Sequence, residues 1–381
     1  MATRPVWQSG QSGVDGYLFT WGATFLFFMG FYTILVPLPR YLAAIGLSDW
    51  QVGVVFGAFG VASLLIRPIA GVVVDRWGAQ RVMQLGAGVL LLSSLAVPAT
   101  THVLLLAGLR LCQAAGYVAF TTASTALVIA ITPVAQRGQR LAVFGIAANV
   151  ALMIAPSVTE WLLSWQPLAA GFGLAAGMAL LAGLATWPLS AHKHTTAVPN
   201  MASHMPQALW LPMLMAGLFG AGFGAFFQYA PVLADRRGVV EADTLYQAYG
   251  VGIILMRLIS RTIQDHWPLR RILVVAASMK VAGLLLLGLS LHPWLLITAA
   301  MIIAGGSGVF HPALLAYHAA IWPEAPGRAT AASYIGFDLG IGGGSFVVGV
   351  ALQYAVIPGL YLLAAAITAL VLPLTLCLPR G

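Results

Sequence analysis

Four ionisable side chains interrupt long apolar stretches of this 381-residue sequence: Arg110, Glu160, Lys280 and Asp338. A charge at bilayer depth costs about 2.5–3.5 kcal/mol on insertion scales, so each is a candidate for handling a proton, an ion or a solute. Asp338 stands nine residues past Ala329, about 13–14 Å along a helix and so near a midplane. Its neighbours in SYIGFDLGIGGGS are small and permit tight packing or water entry. Two readings of it stand, a coupling carboxylate and a structural acceptor between helices. Arg110 heads a polar stripe that continues to Gln113 and Tyr117 at i+3 and i+7, the spacing of one helix face. Glu160 lies beside Trp161 and Trp165, as at an outer interfacial belt. Arg67 and Arg257, close to helix ends, have stems long enough to snorkel.

His311 and His318 are the nearest approach to a metal pair, but seven residues set them about 10 Å apart while zinc–nitrogen bonds are about 2 Å. No metal is therefore expected. His311 reads either as a packed core histidine or, with Ser307 one turn earlier, as part of a cavity wall. Cys112 and Cys377 lie far apart in apolar segments and imply no disulfide. The sequence holds no nucleophile–base pair, ligand spacing or cofactor loop, so neither an enzyme nor a cofactor is expected. It contains no Walker loop, so ATP is not the expected energy source.

The elements that must carry these residues are set by composition. The chain is 60% hydrophobic and 7% charged, with a mean hydropathy of +0.92, against about 25% charged residues in soluble domains. Unbroken runs such as KVAGLLLLGLSL exclude the alternating pattern of a membrane β-barrel. Twelve spans of about 20 residues fit the length and leave short connections, too short for extramembrane recognition domains. The expected spans lie near residues 17–44, 50–74, 82–98, 103–131, 140–163, 167–189, 208–233, 244–262, 272–291, 294–320, 329–351 and 359–378, to within about a turn at each end. The first is too long for a signal-peptide core and is read as a retained helix.

The net charge of +8 forms no patch for nucleic acid. With the N-terminus inside, Arg4, Arg76, Arg81, Arg137, Arg140, Lys193, Arg261, Arg270, Arg271, Arg328 and Arg380 fall on one side and Arg40, Arg236 and Arg237 on the other. The bias places both termini in the cytoplasm of a multi-pass protein of the plasma (inner) membrane.

RPIAGVVVDRWGAQRVM at 67–83 and RLISRTIQDHWPLRRIL at 257–273 align without a gap. Arg67 pairs with Arg257, Asp75 with Asp265, Trp77 with Trp267 and Arg81 with Arg271, all at one constant offset of half the chain. Pro133 and Pro323 share it. The chain is thus expected to be duplicated: residues 1–189 as an N-terminal six-helix bundle, 190–207 as a cytoplasmic linker and 208–381 as a C-terminal six-helix bundle. Parallel repeats of this kind imply a cavity between halves.

The segment GVVVDRWGAQR, with Gly71, Asp75, Arg76, Gly78 and Arg81 in place, resembles the signature loop between helices 2 and 3 of the major facilitator superfamily. Arg110-Leu-Cys-Gln113 resembles its helix 4 motif, with Ala114 in place of Gly. Helix 5 keeps Pro156 of the antiporter pattern but has Ala142, Ala151 and Ala155 at its glycine positions. The resemblance implies an all-α membrane protein of twelve transmembrane helices in two pseudo-symmetric six-helix bundles, and a bacterial efflux-type permease moving a small organic solute by alternating access. Proton coupling within a lipid bilayer, as a monomer, is part of that expectation; symport or facilitation is the alternative. A receptor or scaffold without transport is the remote one.

The resemblance also implies roles. Asp75 would latch onto the N-terminus of helix 11 near Thr330, with Arg76, Gly78, Arg81 and Arg67 around it; Asp265, Arg257 and Arg271 would form the second copy near Arg140, with Pro268 in place of glycine. A solvated turn that only sets topology is the competing reading. Arg110 and Asp338 would couple protons or bind solute. Tyr32, Gln113, Tyr117, Gln228, Tyr229, Ser307 and His311 would line the cavity of helices 1, 4, 7 and 10. Lys280, on peripheral helix 9, would sit in an internal ion pair.

Overall fold

A computed structural model describes residues 10–47, 49–189, 205–238, 242–352 and 357–378. All regular structure among them is helical: α1 (Gly10–Thr33), α2 (Pro37–Ala44), α3 (Asp49–Trp77), α4 (Ala79–Ala96), α5 (Val103–Ile131), α6 (Arg137–Phe144), α7 (Ile146–Leu163), α8 (Leu168–Ala185), α9 (Trp210–Arg237), α10 (Ala242–His266), α11 (Leu269–Leu289), α12 (Pro293–Ile321), α13 (Pro326–Leu352), α14 (Ile357–Ala369) and α15 (Val371–Leu374). Eight helical segments among the described residues are long and apolar enough to cross a membrane.

The twelve expected spans map onto these helices, three of them in pieces. The first divides before Pro37, whose missing N–H suits the first position of α2. The fifth divides at Gly145, whose N–H still bonds to Leu141 O at 3.0 Å. The last ends in α14, α15 and a 3-10 turn at Thr375–Cys377.

Contacts group the chain into two compact units. One takes Met1–Val134, Val150–Asn200 and Pro326–Arg328; the other takes Ala135–Asn149, Met201–Ala325 and Ala329–Gly381. Most of the 190–207 segment lies outside the described residues.

Within the first unit α3 and α4 pack on α5, and α1 and α4 on α8. The α4–α5 crossing brings backbones together, since a Cβ at Gly86 would lie 2.7 Å from Gly116 O and one at Gly116 the same distance from Gly86 O. Small residues let membrane helices approach this closely. Within the second unit α11 and α10 pack on α12, and a Cβ at Gly306 would strike Ala276 O. Gly306 and Ala276 are the repeat counterparts of Gly116 and Gly86, at the offset that relates Asp75 to Asp265. The repeat is equally plain elsewhere: α5 and α12 are both 29 residues long, and their first residues, Val103 and Pro293, fall at the same offset. Phe120 stacks on Phe27 at 3.9 Å, and its counterpart Phe310 stacks on Phe219 at 3.8 Å.

Two arginines tie helix ends. Arg40 makes a two-bond ion pair with Glu160, at 2.6 and 2.9 Å, beside the edge-on rings of Trp161 and Trp165. Arg237, at the end of α9, donates to the carbonyls of Leu287 (2.8 Å), Gly288 (2.6 Å) and Ser290. These are C-terminal carbonyls that α11 itself leaves unbonded.

Candidate functional site

The loop motif is an anion held by a helix start. Asp75, in the last turn of α3, accepts 2.8 Å from the N–H of Gly327 with Oδ1, and 3.2 Å from the N–H and 3.1 Å from Nε of Arg328 with Oδ2. Pro326 begins α13, so these N–H groups belong to its first turn, where free donors and the dipole favour an anion. The Asp75 side chain is 3% exposed. Its anchor lies two to three residues before Thr330, which is itself buried. Gly78 follows with φ 83 and caps α4, a left-handed conformation that glycine adopts without strain. Arg76 and Arg81 are exposed.

In the second copy the side chain of Asp265 lies outside the described residues. Pro268 caps α11 with φ −61 and ψ 141, so the two loops turn differently. Arg271 is exposed, its guanidinium 4.1 Å from the Trp267 ring.

Snorkelling is not what the two helix-end arginines do. Arg67 is 2% exposed with its guanidinium 5.9 Å from the Tyr117 ring. Arg257 is also buried, its guanidinium occupying the space that a Cβ on Gly145 would need. The notch at Gly145 admits it, and a stem directed inward from α10 fills the notch.

Around Arg110 the first unit assembles an aromatic cluster. Nη1 of Arg110 donates 2.6 Å to Gln113 Oε1 one turn along α5, and its guanidinium lies 4.9 Å from the Phe59 ring of α3. Phe59 is 5.6 Å from Tyr117 and 5.5 Å from Phe31, and Phe31 is 4.6 Å from Tyr117. Tyr32 joins through Phe28 and Phe31, at 5.5 Å from each. Arg110 and Gln113 are buried, whereas Tyr32, Phe59 and Tyr117 keep part of their surface open. The i, i+3, i+7 stripe foresaw three of these residues. It missed Phe59, an apolar ring among small residues that offers no polar signal.

In the second unit His311 lies against Tyr334 (5.2 Å) and Phe337 (5.0 Å) of α13. Ser307, one turn earlier, donates to Ile303 O at 3.0 Å. Asp338 is half-buried on α13 between Gly336 and Gly340, whose missing Cβ atoms allow the backbone of α9 at Met213 and Gly217 to approach. Tyr229 is half-buried; the side chain of Gln228 lies outside the described residues.

Lys280 is the residue expected in an internal ion pair. It is fully buried and meets no carboxylate among the described residues; its Nζ lies 3.5 Å from the centre of the Phe219 ring and 3.4 Å from Phe219 O. Among the described residues it is an aromatic face that meets the ammonium. No group of metal-ligating side chains occurs among the described residues.

Two helical units carrying the same helix pairs, with charges buried in apolar helices, define a membrane-spanning carrier of the duplicated type. The chain belongs to the major facilitator superfamily, whose family model matches residues 20–305. It is 25% identical over 362 residues to YhhS of Escherichia coli (strain K12), an uncharacterised MFS-type transporter, covering 91% of this chain and 89% of that one. YhhS of Salmonella typhimurium (strain LT2) is 26% identical over 371 residues, with the same coverage. Among solved structures, the human organic anion transporter MFSD10 (TETRAN) superposes with a TM-score of 0.78 at 18% identity, over 95% of this chain and 99% of that one. The Escherichia coli fucose:proton symporter FucP gives 0.77 at 15% identity, over 97% and 100%. At these identities the structural likeness shows the fold.

Proposed function

We propose that this chain is a secondary transporter that moves a small organic solute across the plasma membrane by alternating access, as a monomer, with protons as the coupling ion and export as its direction. Both termini face the cytoplasm in this reading, which rests on the eleven-to-three bias of basic residues. The observation that carries it is the grip of Asp75 on the first turn of α13. An anion at a helix N-terminus is worth about 0.3–2 kcal/mol, enough to bias two states a few kcal/mol apart and too little to lock one. Asp75 is accordingly the latch, with Arg328 its partner and Arg67, Arg76, Gly78 and Arg81 its setting. Asp265, Arg257 and Arg271 form the second, unequal latch. Arg110 and Asp338 bind the solute or the proton, and Tyr32, Gln113, Tyr117, Gln228, Tyr229, Ser307 and His311 line its path.

The named function of FucP favours a second reading, proton symport into the cell. Counterflow in inside-out vesicles with an imposed pH gradient separates the two. Export in exchange for protons predicts that solute accumulates when the vesicle lumen is acidic, and symport predicts accumulation when the bath is acidic. Exchange indifferent to the gradient means facilitation, and no exchange of any solute removes the transporter reading.

A further inference from the structure

We propose that Lys280, in the second unit, is the group that carries the coupling proton: its amine takes the proton up and gives it back as the transport states exchange. The inference rests on the proton-coupled reading above and leaves Arg110 and Asp338 to the solute.

The duplication supplies the first argument. Leu90 and Lys280 hold the same place in the two units, since a Cβ at Gly116 would lie 3.2 Å from Leu90 N and one at Gly306 would lie 3.1 Å from Lys280 N. Both side chains are fully buried. The ring stacks of the two units match as well, Phe27 on Phe120 and Phe219 on Phe310. Packing at this position therefore needs no cation. An ionisable group at membrane depth, where the fold accepts leucine, is costly and calls for a functional reason.

The choice of cation supplies the second. Of the 18 basic residues in the chain all are arginine except Lys193 and Lys280. Arginine keeps its charge throughout, whereas lysine can stand as ammonium or as amine. Of the described buried cations, Arg67, Arg110, Arg257 and Lys280, it is the lysine that can give its proton up.

Geometry supplies the third. Lys280 lies eleven residues past Leu269, where α11 begins, about 16 Å along the helix and so near a midplane. Its Nζ is 3.5 Å from the centre of the Phe219 ring, 5.6 Å from that of Phe223 and 3.4 Å from Phe219 O. Around Gly222 of α9 pack Lys280, Leu284 and Thr368, and the Thr368 hydroxyl already donates to Ala364 O. The titratable groups of the neighbouring helices are engaged or set elsewhere. On α9, Tyr229 and Arg237 lie beyond Gly222 toward the helix end. On α12, His311 faces Tyr334 and Phe337, and His318 turns to Leu314 O. Tyr249 of α10 packs on Phe226 and Phe227, and Tyr361 of α14 is two turns from Thr368. Arg270 and Arg271 stand in the first turn of α11 itself. A ring face and one long bond hold an ammonium far more loosely than a buried carboxylate would, so the proton is kept without being locked on. Phe223 keeps part of its surface open, so one ring stands between the amine and the surface of the unit. The step forms one N–H bond on the amine lone pair with a proton from water, and breaks it to water again. Only the charge changes, by one.

The test uses the purified full chain in lipid nanodiscs, with spin labels at exposed Arg81 and Glu324. The wild-type distance distribution is expected to shift between acid and alkaline buffer, because a proton that binds one state better moves the balance between them. Lys280→Met should abolish the shift and stay at the alkaline distribution. Lys280→Arg, which keeps its charge, should stay at the acid one. Because the chain has two lysines, nitrogen-15 labelling of lysine in a Lys193→Arg background reads Lys280 alone. Its Nζ signal should change over the same pH interval as the distances. If Lys280→Arg does not fold, Lys280→Met and the nitrogen signal decide. A shift that persists in Lys280→Met overturns the proposal, as does a Lys280 signal that stays constant while the distances move. Loss of the shift in Asp338→Asn but not in Lys280→Met gives the proton to Asp338, refuting the inference and leaving the coupled reading in place. A wild type whose distances ignore pH removes the coupled reading itself, and the inference with it.

Discussion

Asp75 Oδ1 accepts a 2.8 Å hydrogen bond from the N–H of Gly327, and a Cβ on Gly327 would lie 2.7 Å from that same oxygen. Donor and vacancy are one residue, so the contact depends on glycine there as much as on the carboxylate. Gly327→Ala would also press on Gly71 O at 2.6 Å and on Val74 Cβ at 2.9 Å. Overpacking of this kind costs about 1–3 kcal/mol. Spin labels at exposed Arg81 and Glu324 should report a shifted or broadened distance distribution in Gly327→Ala; an unchanged distribution would show that the contact is dispensable.

Asp75→Asn keeps an acceptor oxygen but loses the charge that the helix start and Arg328 favour. Hydrogen bonds to charged groups contribute about 1.5–3 kcal/mol, so the balance between transport states should move by roughly tenfold or more. Both the transport rate and the label distances should change. If neither does, Asp75 is not a latch.

Arg257 fills the notch at Gly145, and a side chain of any size there competes with its guanidinium. Gly145→Ala should destabilise the protein in thermal melting, and the double variant Gly145→Ala, Arg257→Ala should lose less than the two single costs together. The coupling should fall at about 0.5–3 kcal/mol, as for residues in contact. Strict additivity would place the guanidinium elsewhere.

Lys280 is fully buried against the Phe219 ring, and Leu90 occupies the equivalent place in the first half. Replacing buried charge by well-packed apolar groups is often neutral or stabilising by about 1–4 kcal/mol. Lys280→Met should therefore melt no lower than wild type. A large loss would mean that the ammonium holds α9 and α11 together.

Arg237 spans three carbonyls at the end of α11, and the single ammonium of a lysine lacks the planar fork to do so. Arg237→Lys should lower the melting point, at a cost of about 1.5–3 kcal/mol. Retained stability would show that the clamp contributes nothing measurable.

The helical plan was readable because apolar length is a property of each segment alone. Residues 103–131 coincide with α5, bounded by His102 and Thr132. The repeat was readable because Trp77 and Trp267 flank turns that must each leave a membrane helix. The breaks were less so: Pro37 signals one, but Gly145 is one glycine among 42, and only the arginine from α10 shows why it matters. The site divided in the same way. Polar residues on one helix announced themselves by spacing, as Arg110, Gln113 and Tyr117 do. Phe59 and the ring beneath Lys280 come from other helices and carry no polar mark, so only packing discloses them. Burial of Arg67 escaped the sequence because a long stem near a helix end can turn either way.

The two tied arginines have an electrical consequence. In the proposed orientation Arg40 and Arg237 are the outer basic residues whose positions are described, and each spends its charge locally, on Glu160 or on helix carbonyls. Arg76, Arg81 and Arg271, cytoplasmic in that orientation, remain exposed. In that orientation the basic surplus of the chain, whose net charge is +8, lies mainly on the cytoplasmic side. Basic residues near an anionic leaflet gain about 1 kcal/mol each from its surface potential. If that orientation holds, the protein is in effect a one-sided electrode, drawn to the acidic lipids of the cytoplasmic leaflet, while on the outer side Glu160 offsets the charge of Arg40.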